Sequence, residues 1–266
     1  MRKIFCSNSQ TAYMALLKVA GVKDISIPAN APSWFATVPE FLGIRIKLED
    51  VKIDFSSKSD IQNLFFESFI PNDALFVFQN RGAIIGEAKA HIVDFGDFAA
   101  IFTRDETLAK ELEIFVKGGI EKGRLWNFDI KKAGIDIEAE NVDIPDIEEK
   151  LEKQKEVLER FEKEFAKTPY FDILHIGNRT LKEFYPIFLK PSLYCPKEDI
   201  VRKLVEKGFE ATVHYKPLYK LTLFNSKPLP VSEELYKSEL SIPLCEEVIE
   251  SLFETVEEYS YRSCSF

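Results

Sequence analysis

Apolar positions recur along this chain at alternating helical and strand spacing, the pattern of an α/β protein. Tyr13, Leu16 and Leu17 follow the capping residues Ser7, Asn8 and Ser9, which predicts a helix over 7–19. Residues 24–28 read as a buried strand ending at Pro28, 33–41 as a helix, and 44–48 as a second strand. The run 74–78 reads as a short buried strand, with Gln79, Asn80, Arg81 and Gly82 as the turn after it. Thr103 opens a helix carrying Leu108, Leu112 and Phe115. Over 146–167, Ile147, Leu151, Leu158, Phe161 and Phe165 form one stripe, and Glu/Lys pairs at i,i+4 fill the other face.

Beyond Thr168-Pro169 the pattern predicts strands near 171–176 and 185–189, and a helix over 196–207 that stops at Gly208. A strand over 210–215 runs into a proline turn. A short helix capped by Ser232, with Glu234 in its first turn, leads to a strand of small and branched residues at 240–244. A last helix spans 245–259. The expected organisation is a large domain over 1–145, a linking helix over 146–167 and a small domain over 168–266.

Composition narrows the function classes. The net charge is −9, which argues against nucleic acid or an anionic membrane surface as partner. No run of 18 apolar residues occurs, and Met1-Arg2-Lys3 leads into no signal-like stretch, so the expectation is a soluble cytoplasmic protein. Four cysteines without CxxC spacing and three dispersed histidines suggest neither a disulfide framework nor a metal site. No GxGxxG follows a strand, which disfavours nicotinamide chemistry. Two places invite a ligand on physical grounds. The polar turn that opens the first helix offers backbone N–H groups to an anion. Gln79 and Asn80 stand where a strand of a parallel sheet ends.

Three pieces near the C-terminus, "VHYKPL", "PVSEEL" and "LSIPL", resemble in order and spacing the small domain of the DegT/DnrJ family of pyridoxal phosphate-dependent sugar aminotransferases. "SQTAYMALLKVAGV" is similar to the family's first helix, whose Gly-Thr turn holds the cofactor phosphate; Ser9 and Gln10 occupy those two positions. Trp34 falls two residues past the family's ring-stacking aromatic, a position held here by Pro32. "TRDETLAKEL" aligns as well, and stepping back from it puts His91 on the Schiff-base lysine, where some dehydratases of the family use histidine. A second register lays "EAKAHIVDFGD" on an earlier family motif. The lysine loop is then deleted, with Lys89 ahead of it.

The resemblance further implies candidates for the acid at the pyridine nitrogen: Glu87, Asp94 or the neutral Gln79. Asn127 matches an asparagine that reaches the neighbouring subunit's cofactor phosphate, but Asp129 replaces the family's arginine. His214 and Tyr215 are the substrate-side candidates. The implied fold is a three-layer aminotransferase-like large domain, with a shortened and mostly parallel sheet, plus a small α/β C-terminal domain. The implied assembly is a homodimer. The glycine turn, the stacking aromatic, the lysine and the arginine are altered together. The expectation is therefore a degenerate site on an aminotransferase scaffold, in a non-transaminating protein that binds a ligand or partner. The alternative is an active pyridoxal phosphate-dependent aminotransferase or dehydratase acting on a nucleotide-linked sugar.

Overall fold

The computed structural model describes residues 1–51, 76–84, 87–120, 134–140, 142–144, 146–174, 177–191, 195–224 and 226–263. These fall into two compact units. The N-terminal unit draws on Met1–Pro28, Pro32–Glu49 and the described residues from Phe76 to Asp146; the C-terminal unit comprises the described residues from Ile147 onward, together with Ala29–Ala31, Asp50 and Val51.

In the N-terminal unit the elements are β1 (Arg2–Cys6), α1 (Ser9–Val19), β2 (Asp24–Pro28), α2 (Trp34–Phe41), β3 (Arg45–Glu49), β4 (Phe76–Asn80), β5 (Ala90–Asp94), β6 (Ala99–Thr103) and α3 (Glu106–Val116). Four strands form a sheet in the order β1-β6-β5-β4. β6 is antiparallel to both β1 and β5, while β4 and β5 are parallel. Three of the four strands therefore run one way. β2 and β3 make a separate parallel pair. The sequence reading missed β1, β5 and β6 as strands. The central residues of β5 and β6 are buried on both faces, which removes the apolar–polar alternation of a half-exposed strand, while β1 is a short strand led by the exposed Arg2 and Lys3.

Helix α1 begins at Ser9, two residues after the expected start. Asn8 is the cap, accepting from Thr11 N at 3.0 Å, while the Thr11 hydroxyl bonds back to Asn8. Its buried face packs Tyr13 into an aromatic group with Trp34, Phe35 and Phe76, at ring separations of 5.1–5.6 Å. Asp105 caps α3 by accepting from Thr107 N and Leu108 N, both at 3.0 Å.

The C-terminal unit holds α4 (Glu148–Phe165), β7 (Phe171–Ile173), β8 (Phe184–Leu189), α5 (Lys197–Glu206), a 3-10 turn (Leu218–Lys220), α6 (Pro230–Ser238), β9 (Glu239–Pro243) and α7 (Glu247–Ser263). β7, β8 and β9 form an antiparallel sheet in that order. The stripe of α4 supplies Leu158, Phe161 and Phe165 to the core beneath that sheet. Two local expectations fail here. The segment 210–215 is not a strand; only Thr212 pairs, with Ser241 of β9, because His214 N donates instead to the Glu239 carboxylate at 2.9 Å. Ser232 does not cap α6 either. The helix starts at Pro230, the cap position holds Leu229, and Asp50 supplies the missing acceptor. Its carboxylate accepts from Val231 N (3.0 Å), Ser232 N (2.8 Å) and Ser232 Oγ (2.6 Å).

Candidate functional site at the strand ends of the N-terminal sheet

Because β1, β4 and β5 are co-directional, their C-terminal ends share one edge, the place where an α/β sheet presents ligands. The chain leaves β1 there and enters α1, with Ser9 and Gln10 as the first two helical residues. Asn80 and Asp94 pair in register at the ends of β4 and β5. β4 thus runs two residues past the expected strand, and Gln79 and Asn80 belong to it and not to a turn.

Asp94 organises this edge. Its Oδ2 accepts the Ser9 hydroxyl at 2.5 Å and its Oδ1 accepts Gly96 N at 2.7 Å. Gly96 adopts φ +89, which a side chain would resist, and the tight connection Phe95–Phe98 follows from it. Ser9 is 7% exposed, while Gln10 is open to solvent. Trp34 lies edge-on to Phe78 (5.3 Å) and tilts against Phe35 (4.2 Å), so it forms an aromatic wall that is partly exposed.

Other expected residues are not brought to this group. Side chains alternate along β5, so Ala90, Ile92 and Asp94 face α1, whereas His91 and Val93 face the opposite side. Val93 packs there with Ala100 and Phe102. His91 is 5% exposed and its Nδ1 has no hydrogen-bond partner among the described residues. Burial, and then the charge of Arg104, push its imidazole below the ordinary range. Lys89 precedes β5, at the far end of that strand from Asp94, and is exposed. Gln79 is fully buried, and its amide donates to the Ala83 carbonyl at 2.8 Å, which shapes the bend after β4. Glu87 is exposed. Asn127 and Asp129 lie outside the described residues.

His214 and Tyr215 sit in the C-terminal unit. The His214 ring lies 5.0 Å from Phe184 and 4.7 Å from Tyr215, and burial pushes its pKa down to about 4. The Tyr215 hydroxyl is pushed up by burial and then by Glu239 and Glu183. Behind them is a buried group that sequence reasoning missed. Glu239 is 1% exposed; its carboxylate takes His214 N and the Ser241 hydroxyl, the latter at 2.5 Å, and burial raises its pKa to about 8. Lys197 is also buried and donates to the Tyr236 carbonyl. The available signal was a lone carboxylate heading the apolar run of β9. Among the described residues no group of three metal-ligating side chains gathers, and no helix is long and apolar enough to cross a membrane.

A family model described as the DegT/DnrJ/EryC1/StrS aminotransferase family matches residues 89–258. The chain belongs to this family. Among curated relatives, a UDP-4-amino-4,6-dideoxy-N-acetyl-beta-L-altrosamine transaminase of Campylobacter jejuni is 31% identical over 162 residues, which cover 56% of this chain and 43% of that protein. The Helicobacter pylori protein of the same name is 27% identical over 162 residues, covering 54% and 42%. The chain thus spans less than half the length of the curated relatives it matches. Among solved structures, the Helicobacter pylori PseC aminotransferase superposes at TM-score 0.68 and 17% identity, covering 97% of this chain and 86% of that one. A putative sugar aminotransferase of Streptococcus pneumoniae, Spr1654 in its PMP form, reaches TM-score 0.75 at 15% identity, covering 100% and 88%. These likenesses establish the aminotransferase fold in this chain.

Pyridoxal phosphate, the cofactor this family implies, asks three things of such an edge: donors for its phosphate, a wall for its ring and an amine for covalent attachment. Trp34 and Phe78 supply a wall. The donor Ser9 is engaged by a carboxylate. The β5–β6 connection, Phe95–Phe98, carries no lysine. Lys117, bridged to Asp136 in the segment whose Glu138 pairs with Cys6 of β1, also pairs with Glu138 at 3.1 Å and lines a cleft with Lys3, Ile4 and Phe5 of β1. Among the described residues, no lysine bonds to Ser9 or Asp94. They do not fit a covalently held pyridoxal phosphate.

Proposed function

We propose that this protein takes a nucleotide-linked sugar as its small-molecule ligand and serves the sugar-transaminase chemistry of its family, as a cytoplasmic homodimer. The observation that carries this reading is the match over 89–258 together with 31% identity to a relative named for a UDP-linked amino sugar. Those comparisons favour amine transfer with pyridoxal phosphate as cofactor over a scaffold that has lost the reaction. A second reading, a ligand- or partner-binding protein without amine transfer, is favoured by the bond between Ser9 and Asp94 and by the lysine-free connection after β5. Two measurements separate them. Incubation with pyridoxal phosphate should give an absorbance band at roughly 410–430 nm if any lysine bonds the cofactor. Calorimetric titration with a UDP-linked amino sugar tests the ligand class. A protein that binds the sugar and shows no band supports the second reading. One that binds neither overturns the proposal. Light scattering that gives a monomer removes the dimer from it.

A further inference from the structure

We propose that Asp94 is a built-in anion that closes the anion seat at the N-terminus of α1. Three observations converge on it. Strand alternation aims Asp94 at the face where α1 begins, and its two oxygens take the Ser9 hydroxyl at 2.5 Å and the Gly96 N–H at 2.7 Å. The neighbouring donor is engaged as well, since Asn8 accepts from Thr11 N. Among the described residues no lysine or arginine pairs with Asp94; the guanidinium of Arg81 lies over the neighbouring Phe95 ring, 5.8 Å from its centroid.

A helix N-terminus favours negative charge, and here the chain's own carboxylate already supplies it. A phosphate entering the seat would have to displace Asp94 from the Ser9 hydroxyl and then remain beside it. Like charges a few ångströms apart oppose that strongly. For the phosphate, the disagreement between the family's cofactor and this edge thereby acquires a cause in a single side chain at the end of β5; the missing lysine is a separate matter. The inference rests on the second reading above, a protein without amine transfer, and takes from the family only the kind of anion that is turned away.

The test uses pyridoxamine 5′-phosphate, which has no aldehyde to react with surface lysines, and pyridoxamine as its phosphate-free control. Both are titrated calorimetrically into the full chain, into Asp94→Ser and into Asp94→Asn. Removing the charge should tighten binding of the phosphorylated compound by on the order of a hundredfold, with no gain for pyridoxamine. Ser9→Ala, which leaves the charge in place, should gain nothing. The inference is overturned if either Asp94 variant keeps the parent's melting temperature and binds the phosphate no more tightly. It is also overturned if the parent chain binds the compound more tightly than its variants do. A UDP-linked amino sugar titrated into the parent chain tests the family reading separately, since that result does not depend on Asp94 being replaced.

Discussion

Replacing Glu239 with Gln should stabilise the C-terminal unit at alkaline pH and leave it nearly unchanged near pH 5. Glu239 begins β9 at 1% exposure, and burial raises its pKa from 4.5 to about 8, against the lowering effect of the bonds from Ser241 and His214 N and of the Lys197 charge. The groups facing it are Lys197 from α5, His214 and Tyr215 from the segment before the 3-10 turn, and Ser241 on its own strand. A carboxyl whose folded pKa exceeds its unfolded one holds its proton longer in the folded state. Its stabilising contribution is therefore full below about 4.5 and is lost as pH rises to about 8. At about 1.36 kcal/mol per unit, the interval corresponds to roughly 3–5 kcal/mol. Gln keeps an acceptor for His214 N and never ionises, so it avoids that loss.

Calorimetric melting of parent and variant between pH 5 and 9 measures the effect. The gap should open steadily with pH and reach about 10 °C by pH 8.5 in the transition of the C-terminal unit. His214 works in the opposite sense: its pKa of about 4 makes it lose stability as pH falls below its ordinary 6.5. The parent's fall above pH 6.5 therefore reports Glu239 without that opposing contribution. A gap that does not vary with pH, or a variant less stable than the parent at pH 8.5, would refute this reasoning.

Other expectations follow from single contacts. Asp50→Ala removes three bonds from the start of α6 and should cost the C-terminal unit roughly 2–3 kcal/mol in urea denaturation, while Ser232→Ala costs about 1. Asp105→Ala uncaps α3 and should lower stability by about 1 kcal/mol, read by the same method. Phe161→Ala opens the core between α4 and the C-terminal sheet and should cost about 3–5 kcal/mol, with the loss confined to the transition of that unit. His91→Phe should flatten the acid side of the N-terminal unit's stability curve. A buried imidazole with a lowered pKa contributes stability above its ordinary 6.5 that disappears as pH falls, and phenylalanine has nothing to protonate. A variant that is no more stable than the parent at pH 5 would count against that assignment.

α1, β2, α2, α4 and α5 were legible in the chain because the spacing of apolar residues marks each of them, and in α1 and α5 a flanking cap or stop agrees with that spacing. The family was legible there too, since the motifs around His214, Ser232 and Leu240 keep their order along the chain. Three matters were settled only by how the chain packs. That packing made strands of β5 and β6, whose burial on both faces erases the alternation that marks a half-exposed strand. It capped α6 with Asp50, 181 residues away from Val231, a pairing that no local pattern can announce. At the edge of the N-terminal sheet it set Asp94 against Ser9 and turned His91 to the other face. Position along β5 puts these residues three apart, but a strand sends neighbours three apart to opposite sides, so the site depends on the direction of each side chain as well as on its place in the chain.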